Sequence, residues 1–386
     1  MLFLILLILV SPVLAGTIEL VESVPMETVY NSHLRNTPEV WLEMLNSADE
    51  TICIESFYFC DNPDSLDSLD SCIAAIEEAS ARGVNVSTVC DSKFYKTYPE
   101  IPDMIGELPN ATSTVFNASE LWGGVQHSKF MVIDRQQFFV GSQNWDWRAL
   151  DHIRELGVVV DHPKLANSVA AIFDYDSTNG NISTVCQSGP FELQHNNVTV
   201  DVSVAASPPT GLPEGIPHDL PILIEMMDNA KSSIRIQLLS YNPSNYDKTL
   251  WKDLDSAIRN AANRGVTVQM ILSNWSKVHY KLKHIKNLAD VDGITIKFTN
   301  IPQWSGGFIS YARVEHPKYM TVDGNKSWVG TSNWSEGYFT DSRNVSVFVS
   351  GSSFASELET FFASGWNGPY AELVERNTEY QPPRKK

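Results

Sequence analysis

Histidine, lysine and asparagine recur in this chain twice, at one fixed spacing. The first set is His127, Lys129, Asp134, Gly141, Ser142, Asn144 and Trp145, and the second is His316, Lys318, Asp323, Gly330, Thr331, Asn333 and Trp334. Both fit H-x-K-x4-D-x6-G-[S/T]-x-N-W, and each fixed position of the second falls 189 residues after its partner, from His127 and His316 to Trp145 and Trp334. A lone H-x-K carries no information, but two ungapped copies sharing seven positions do. A repeated core hairpin would keep apolar positions, not His, Lys and Asn. Imidazole is a nucleophile or acid/base near neutral pH, lysine brings fixed positive charge, and asparagine brings a neutral amide donor. Doubled, the set suits a phosphodiester. One histidine attacks phosphorus, the other protonates the leaving oxygen, and the ammoniums stabilise charge on the remaining oxygens. Lys129, Lys318, Asn144 and Asn333 are the phosphate-holding candidates, with Ser142 and Thr331 behind them.

This doubled motif resembles that of the phospholipase D superfamily. The flanks Trp147-Arg148-Ala149-Leu150, Glu155-Leu156-Gly157-Val158-Val159, Ser207-Pro208-Pro209 and Tyr338-Phe339-Thr340 are similar to the branch of the third and fourth mammalian phospholipase D proteins and poxvirus nuclease-like members. The resemblance runs from about Thr28 to Trp366. It implies a site where two lobes meet, each giving half. It also implies a covalent phosphohistidine, and an acidic residue orienting the motif histidine of its own half. Glu155 lies eleven residues after Asn144, whereas the matching position after Asn333 is the uncharged Asn344. That asymmetry assigns His127 as nucleophile, oriented by Glu155, and His316 as general acid and then base for water. Asp134 and Asp323 complete the motif's catalytic set, although an acid closing a strand more often caps the turn that follows. No His/Cys spacing or carboxylate cluster points to a metal, no cofactor is expected, and the lysines do the charge work a metal does elsewhere.

The motifs need elements to hold them. Phe130 to Ile133 and Tyr319 to Val322 are apolar runs that read as strands. In the first half, Pro38 to Ala48 reads as a helix, Glu50 to Phe59 as a strand, Leu66 to Arg82 as a helix closed by Gly83, and Val84 to Cys90 as a strand. The second half repeats this. Residues 48–54 align with 230–236 and 82–86 with 264–268, at an offset of 182. The repeat thus spans each half. The expectation is an α/β fold of two similar lobes, each a mixed β-sheet flanked by helices, in a pseudo-two-fold arrangement with the site between them. The boundaries read as a lead-in and first lobe over 16–206, irregular over 16–36. A Pro/Gly linker follows over 207–217 and a second lobe over 218–386.

Composition narrows the setting. The 386 residues carry 43% hydrophobic and 19% charged residues, a globular balance, with a formal net charge of −18 that argues against a general polyanion-binding surface. Residues 1–15 form a short apolar run ending Val13-Leu14-Ala15 that reads as a signal peptide, without the usual basic n-region. Glycosylation sequons stand at Asn85, Asn110, Asn117, Asn181, Asn197, Asn274, Asn325 and Asn344. A further one at Asn333 is expected to stay bare because it belongs to the site. Together these place the chain in the secretory pathway, in a lysosomal or endosomal lumen or outside the cell. Cys60 and Cys72 could clip a loop, Cys53 and Cys90 read as core thiols, and Cys186 makes the count odd. Trp122, Trp304, Phe308 and Tyr311 crowd the approaches to the motifs, where aromatics can stack on bases, meet lipid, or merely pack.

The partner is a phosphodiester, either single-stranded nucleic acid or phospholipid, with contact to a membrane surface in the second case. Three functions compete. The first is a secretory or lysosomal single-strand 5′-exonuclease. The second is a phospholipase D or transphosphatidylase turning phosphatidylcholine into phosphatidic acid. The third, an inactive binding glycoprotein, is disfavoured by two complete motifs. Oligomeric state is not legible, and a chain supplying both half-sites needs no second copy.

Overall fold

The computed structural model describes residues 16–30, 33–62, 67–182, 184–245 and 249–386. The apolar run 1–15, read as a signal peptide, lies outside the described residues, as does Leu66 at the start of its helix.

Each half builds the same seven-strand sequence of neighbours. In the first half Thr51–Ser56 lies parallel to Asn85–Asp91, which lies parallel to Ala111–Phe116. On its other side Thr51–Ser56 pairs antiparallel with Lys129–Ile133, which turns back into Gln137–Gly141. Glu155–Asp161 and then Thr17–Ser23 continue the sheet antiparallel. In the second half the same slots hold Ser233–Leu238, Thr267–Ser273, Ile294–Thr299, Tyr319–Val322, Lys326–Gly330, Asn344–Ser350 and Val198–Ser207. The expected two α/β lobes are therefore present, joined in one 17-stranded sheet. Parallel pairs in the outer part need crossover helices, and Ser68–Arg82 and Asp253–Asn263 supply them. Gly83, at φ 96°, ends the first of these in the left-handed conformation that only glycine adopts without cost.

Two expectations change. The lead-in is not irregular throughout, because Thr17–Ser23 is a strand paired with Glu155–Asp161 far downstream. Its partner, not its own periodicity, makes it one. The Pro/Gly segment 207–217 is no loose tether. Ser207 ends a strand, and the Arg343 guanidinium donates to the Ser207 and Gly211 carbonyls.

Three large apolar cores form among the described residues, beside a small cluster of Ile153, Leu239 and Val314. One lies on the outer side of each half. The third lies between the halves, where Val169, Ile172 and Phe173 of the helix Pro163–Ser177 meet Phe354, Leu358 and Phe361 of Ser352–Trp366. This central layer locks the halves together. The five cysteines are unpaired, so the Cys60–Cys72 clip is not formed, and Cys53, Cys72 and Cys90 are buried thiols.

Asp134 and Asp323 are not in the site. Both occupy the first place of a three-residue hairpin loop with positive φ, at 51° and 53°, a conformation aspartate tolerates better than most residues. The Asp134 carboxylate accepts from the backbone N–H groups of Asp49, Glu50 and Thr51, and Asp323 accepts from those of Lys231, Ser232 and Ser233. Each thus clamps the start of the neighbouring antiparallel strand, Thr51–Ser56 or Ser233–Leu238, to its own hairpin. Asp134→Ala or Asp323→Ala is expected to lower folding stability by about 1–3 kcal/mol in denaturant titrations while turnover per folded molecule holds. Lost turnover at full stability would put these carboxylates into the chemistry.

Candidate active site

The two halves meet through exchanged backbone contacts at the histidines. The His127 N–H donates to the Arg343 carbonyl at 2.9 Å, and the Arg343 N–H to the Val125 carbonyl at 2.9 Å. In the mirrored place the His316 N–H donates to the Arg154 carbonyl at 2.9 Å and the Arg154 N–H to the Val314 carbonyl at 3.0 Å. Each histidine is therefore stitched to the strand start of the opposite half. Its ring meets the residue after the arginine.

This wiring reverses the expected orientation of Glu155. The carboxylate does not reach His127 of its own half. It accepts from His316 Nδ1, at 2.9 Å to Oε1 and 2.7 Å to Oε2. The uncharged Asn344 does the matching job for His127, with Oδ1 3.0 Å from His127 Nδ1. The orientation of Asn344 is set by its other bonds. Its Nδ2 donates to the Tyr338 carbonyl at 2.7 Å, and its Oδ1 also accepts from Thr331 Oγ1 at 2.9 Å. An amide oxygen only accepts, so His127 Nδ1 carries the proton and Nε2 is left with its lone pair. Asn344 is fully buried here, and it cannot be the glycan acceptor its sequon suggested.

Ser142 and Thr331, expected as phosphate contacts, serve these supports. Thr331 holds Asn344. The Ser142 hydroxyl favours the Glu155 carboxylate and accepts from the Leu156 N–H at 3.0 Å. Asn144 and Asn333 remain phosphate ligand candidates. Both are buried at the site, and each Oδ1 has no protein partner among the described residues.

Lys129 and Lys318 are also buried, at 1% and 0% exposure, and neither forms an ion pair among the described residues. Each ammonium donates to the carbonyl of the histidine two residues before it. Two buried cations with no carboxylate in ion-pair contact, and only Glu155 and Asp91 acting from further off, make a site built for an anion that arrives from outside. Their fields spread over the whole cluster. Burial, then Lys318, pushes Lys129 well below the ordinary ammonium value, and burial pushes Lys318 down to about 7. Burial and both ammoniums push the His127 and His316 imidazoles well down, while burial pushes Glu155 well up against the pull of Lys318. Without substrate, His127 is thus neutral. His316 Nδ1 and the Glu155 carboxyl form one coupled proton site, in which burial disfavours the charged form of each.

With this geometry in view, the relatives can be placed. A family model described as the PLD-like domain of cardiolipin synthase matches residues 41–177 and 223–366. The chain belongs to the phospholipase D-like family. As a member it is a phosphodiester hydrolase. It is similar to phospholipase D Z of Dictyostelium discoideum, 28% identical over 94% of this chain and 92% of the relative. It is also similar to the 5′-3′ exonuclease PLD3 of Macaca fascicularis, 30% identical over 93% of this chain and 81% of the relative. The phosphatidylserine synthase of Haemophilus influenzae shares the fold, with a TM-score of 0.64, 12% identity and coverage of 89% and 86%.

Some of the surroundings were not legible in the sequence. The His127 ring lies between Phe57, 4.9 Å away between centroids, and Tyr338, at 4.7 Å. Phe94 packs on Phe57 at 4.1 Å, and Tyr58 stacks on Phe94 and touches Tyr98. Of the aromatics expected near the approaches, Trp122 lies over the Arg343 guanidinium at 4.7 Å and Trp304 packs on His152 at 5.0 Å. Both are packing. Asp61, Asp67 and Asp70 do cluster, at the start of the helix Ser68–Arg82. There Asp67 and Asp70 form its capping box.

Burial and charge set three measurable outcomes. Loss of the Lys318 proton weakens anion binding, so kcat/KM on any diester should fall on the basic side with a limb near pH 7. The folded value lies below the unfolded one, so Lys318 costs stability fully below about pH 7, and the cost fades as pH rises toward the ordinary ammonium value. Lys318→Met should therefore abolish turnover yet stabilise the protein by about 1–4 kcal/mol at pH 6, less at pH 9. An unchanged or lower melting temperature at pH 6 would contradict the strained cation. Glycopeptide mapping should find Asn333 and Asn344 bare, while Asn85, Asn110, Asn181, Asn197 and Asn325, which are exposed, remain open to modification.

Proposed function

We propose that this phosphodiesterase is a single-strand 5′-exonuclease of the secretory pathway that works through phospho-His127. The observation that carries the nucleic-acid reading is the aromatic shelf that runs from Phe57, against His127, through Phe94 and Tyr58 to Tyr98. Half-buried rings against the reacting centre can stack a base of any identity, as a sequence-indifferent nuclease needs. The similarity to 5′-3′ exonucleases over most of the chain supports it. The exposed sequons and the apolar N-terminal run support a lysosomal, endosomal or extracellular setting.

The proton inventory sets the roles. The free lone pair of His127 Nε2 attacks phosphorus, and the N–P bond forms as the P–O bond to the leaving group breaks. The leaving oxygen takes the Nε2 proton of His316. Glu155 on the far nitrogen lets His316 give that proton and later take one back from water, whose oxygen displaces His127 from phosphorus. Lys129, Lys318, Asn144 and Asn333 hold the equatorial oxygens. The arriving phosphate also raises the depressed values of the cationic groups, so substrate binding itself charges the site. Ser142, Thr331 and Asn344 act as positioning residues.

The second reading is a phospholipase D acting on phosphatidylcholine. The Dictyostelium relative's name and the exposed Phe308 and Tyr311 favour it. One experiment separates the two. Purified protein is given a 5′-hydroxyl single-stranded oligonucleotide or phosphatidylcholine vesicles, with chelator present and His127→Ala as control. Nucleotide release lost in the variant is the expected result, and choline release alone would sink the nuclease reading. The roles have their own test with bis(p-nitrophenyl) phosphate, whose leaving group needs no acid. His316→Ala should give one stoichiometric burst with a trapped adduct, and His127→Ala none. The reverse pattern would exchange the two histidines.

A further inference from the structure

The two rims of the site occupy equivalent places in the repeat but differ in chemistry. In the first half Tyr58 meets Phe94 and Tyr98 through their rings. The residues 182 later are Ser240, Ser276 and Tyr280. There Tyr280 keeps the place of Tyr98, but serines replace the other two rings, and Lys281 Nζ, 5.7 Å over the Tyr280 ring, donates to Ser240 Oγ at 2.6 Å. Ser240 lies against the site, because its carbonyl accepts from the N–H of Trp334, the residue after Asn333. The C-terminal tail folds onto the same rim. The Lys385 carbonyl accepts from the Tyr311 N–H, Lys385 Nζ lies over the Trp275 ring at 4.7 Å, and the Arg384 guanidinium lies over Phe308 at 4.0 Å.

Charge makes this rim unusual. The chain has 46 acidic residues against 28 Lys and Arg, yet among the described residues neither Lys281 nor Lys385 pairs with a carboxylate. The two feel each other instead. Burial and then Lys385 push Lys281 down to about 8. Uncompensated cations kept together in an acidic protein are stabilised by an anion that comes from outside.

The direction of reaction says which anion. In an in-line displacement the leaving oxygen departs opposite His127, on the side of His316 and the second-half rim. A polynucleotide leaving group carries a further phosphate beyond that oxygen. The choline of a phosphatidylcholine carries none. Resting on the nuclease reading above, we propose that Lys281, backed by Lys385, is a second anion subsite that holds the next phosphate of a single strand on the leaving-group side of the cut.

The test compares the thymidine dinucleotide TpT, with one phosphate, and the trinucleotide TpTpT, with two, both with 5′-hydroxyl ends. Bis(p-nitrophenyl) phosphate reports the bare chemistry. Wild-type enzyme should prefer TpTpT by about tenfold in kcat/KM, the scale of one charge-assisted contact. In Lys281→Gln, which can keep the bond to Ser240, the preference should collapse toward one, chiefly through KM. The salt dependence on a longer oligonucleotide should flatten by about one unit of slope. Lys281→Arg should restore the preference. A preference unchanged in Lys281→Gln overturns the subsite while leaving the nuclease reading intact. Turnover of bis(p-nitrophenyl) phosphate with neither oligonucleotide cut overturns the nuclease reading and the subsite with it.

Discussion

The chemistry depends on one reciprocal contact between the halves. His127 is hydrogen-bonded through its backbone to Arg343, and His316 to Arg154. Because the residue after each arginine faces the ring, neither histidine has its orienting partner until both halves are folded and docked. The arginines bind this together beneath the site. Arg343 pairs with buried Asp176 of the helix Pro163–Ser177, at 2.6 Å. Arg154 lies over Tyr30 at 3.6 Å and Phe361 at 4.3 Å, with Glu315 and Glu22 close by. Removing a member of such a buried charge set leaves a partner uncompensated, which costs more than the pair itself contributes. The site and the interface are therefore one cooperative structure.

Within that frame the site is kept under electrostatic tension. Two ammoniums and two imidazoles are buried together with one carboxylate, which hydrogen-bonds His316 and acts on the lysines only through its field. Water has been removed from more positive groups than the one internal carboxylate can balance. The tension is released by a phosphate, which is the chemical meaning of preorganisation here. The central apolar core supplies the rigidity that stops the lysines from relaxing away from one another.

The repeat gives symmetry of backbone and breaks symmetry of charge. Glu155 and Asn344 occupy matching places, and they divide the labour between an imidazole ready to give a proton and one ready to attack. The rims divide it again, with aromatic rings near His127 and unpaired lysines on the far side. A pseudo-two-fold scaffold carries out a directional reaction because a few exchanged side chains tell the substrate which way round to lie.

The sequence by itself determined the family, the motif residues, the paired α/β topology and even the hairpin strands that carry the motifs. Short-range periodicity and fixed spacing encode all of these. What it could not decide was which half serves which histidine. Glu155 looked like a partner for His127 because spacing along the chain suggests a neighbour in the same half. Asn344 looked like a glycan acceptor because a sequon says nothing of burial. Ser142 and Thr331 looked like phosphate ligands, and they hold the orienting residues instead. Thr17–Ser23 showed no strong strand pattern because its identity lies in Glu155–Asp161, with which it pairs. All of these depend on contacts between segments far apart in the chain. Such contacts exist only after the halves pack, so tertiary structure alone fixed the proton positions and the polarity of the site.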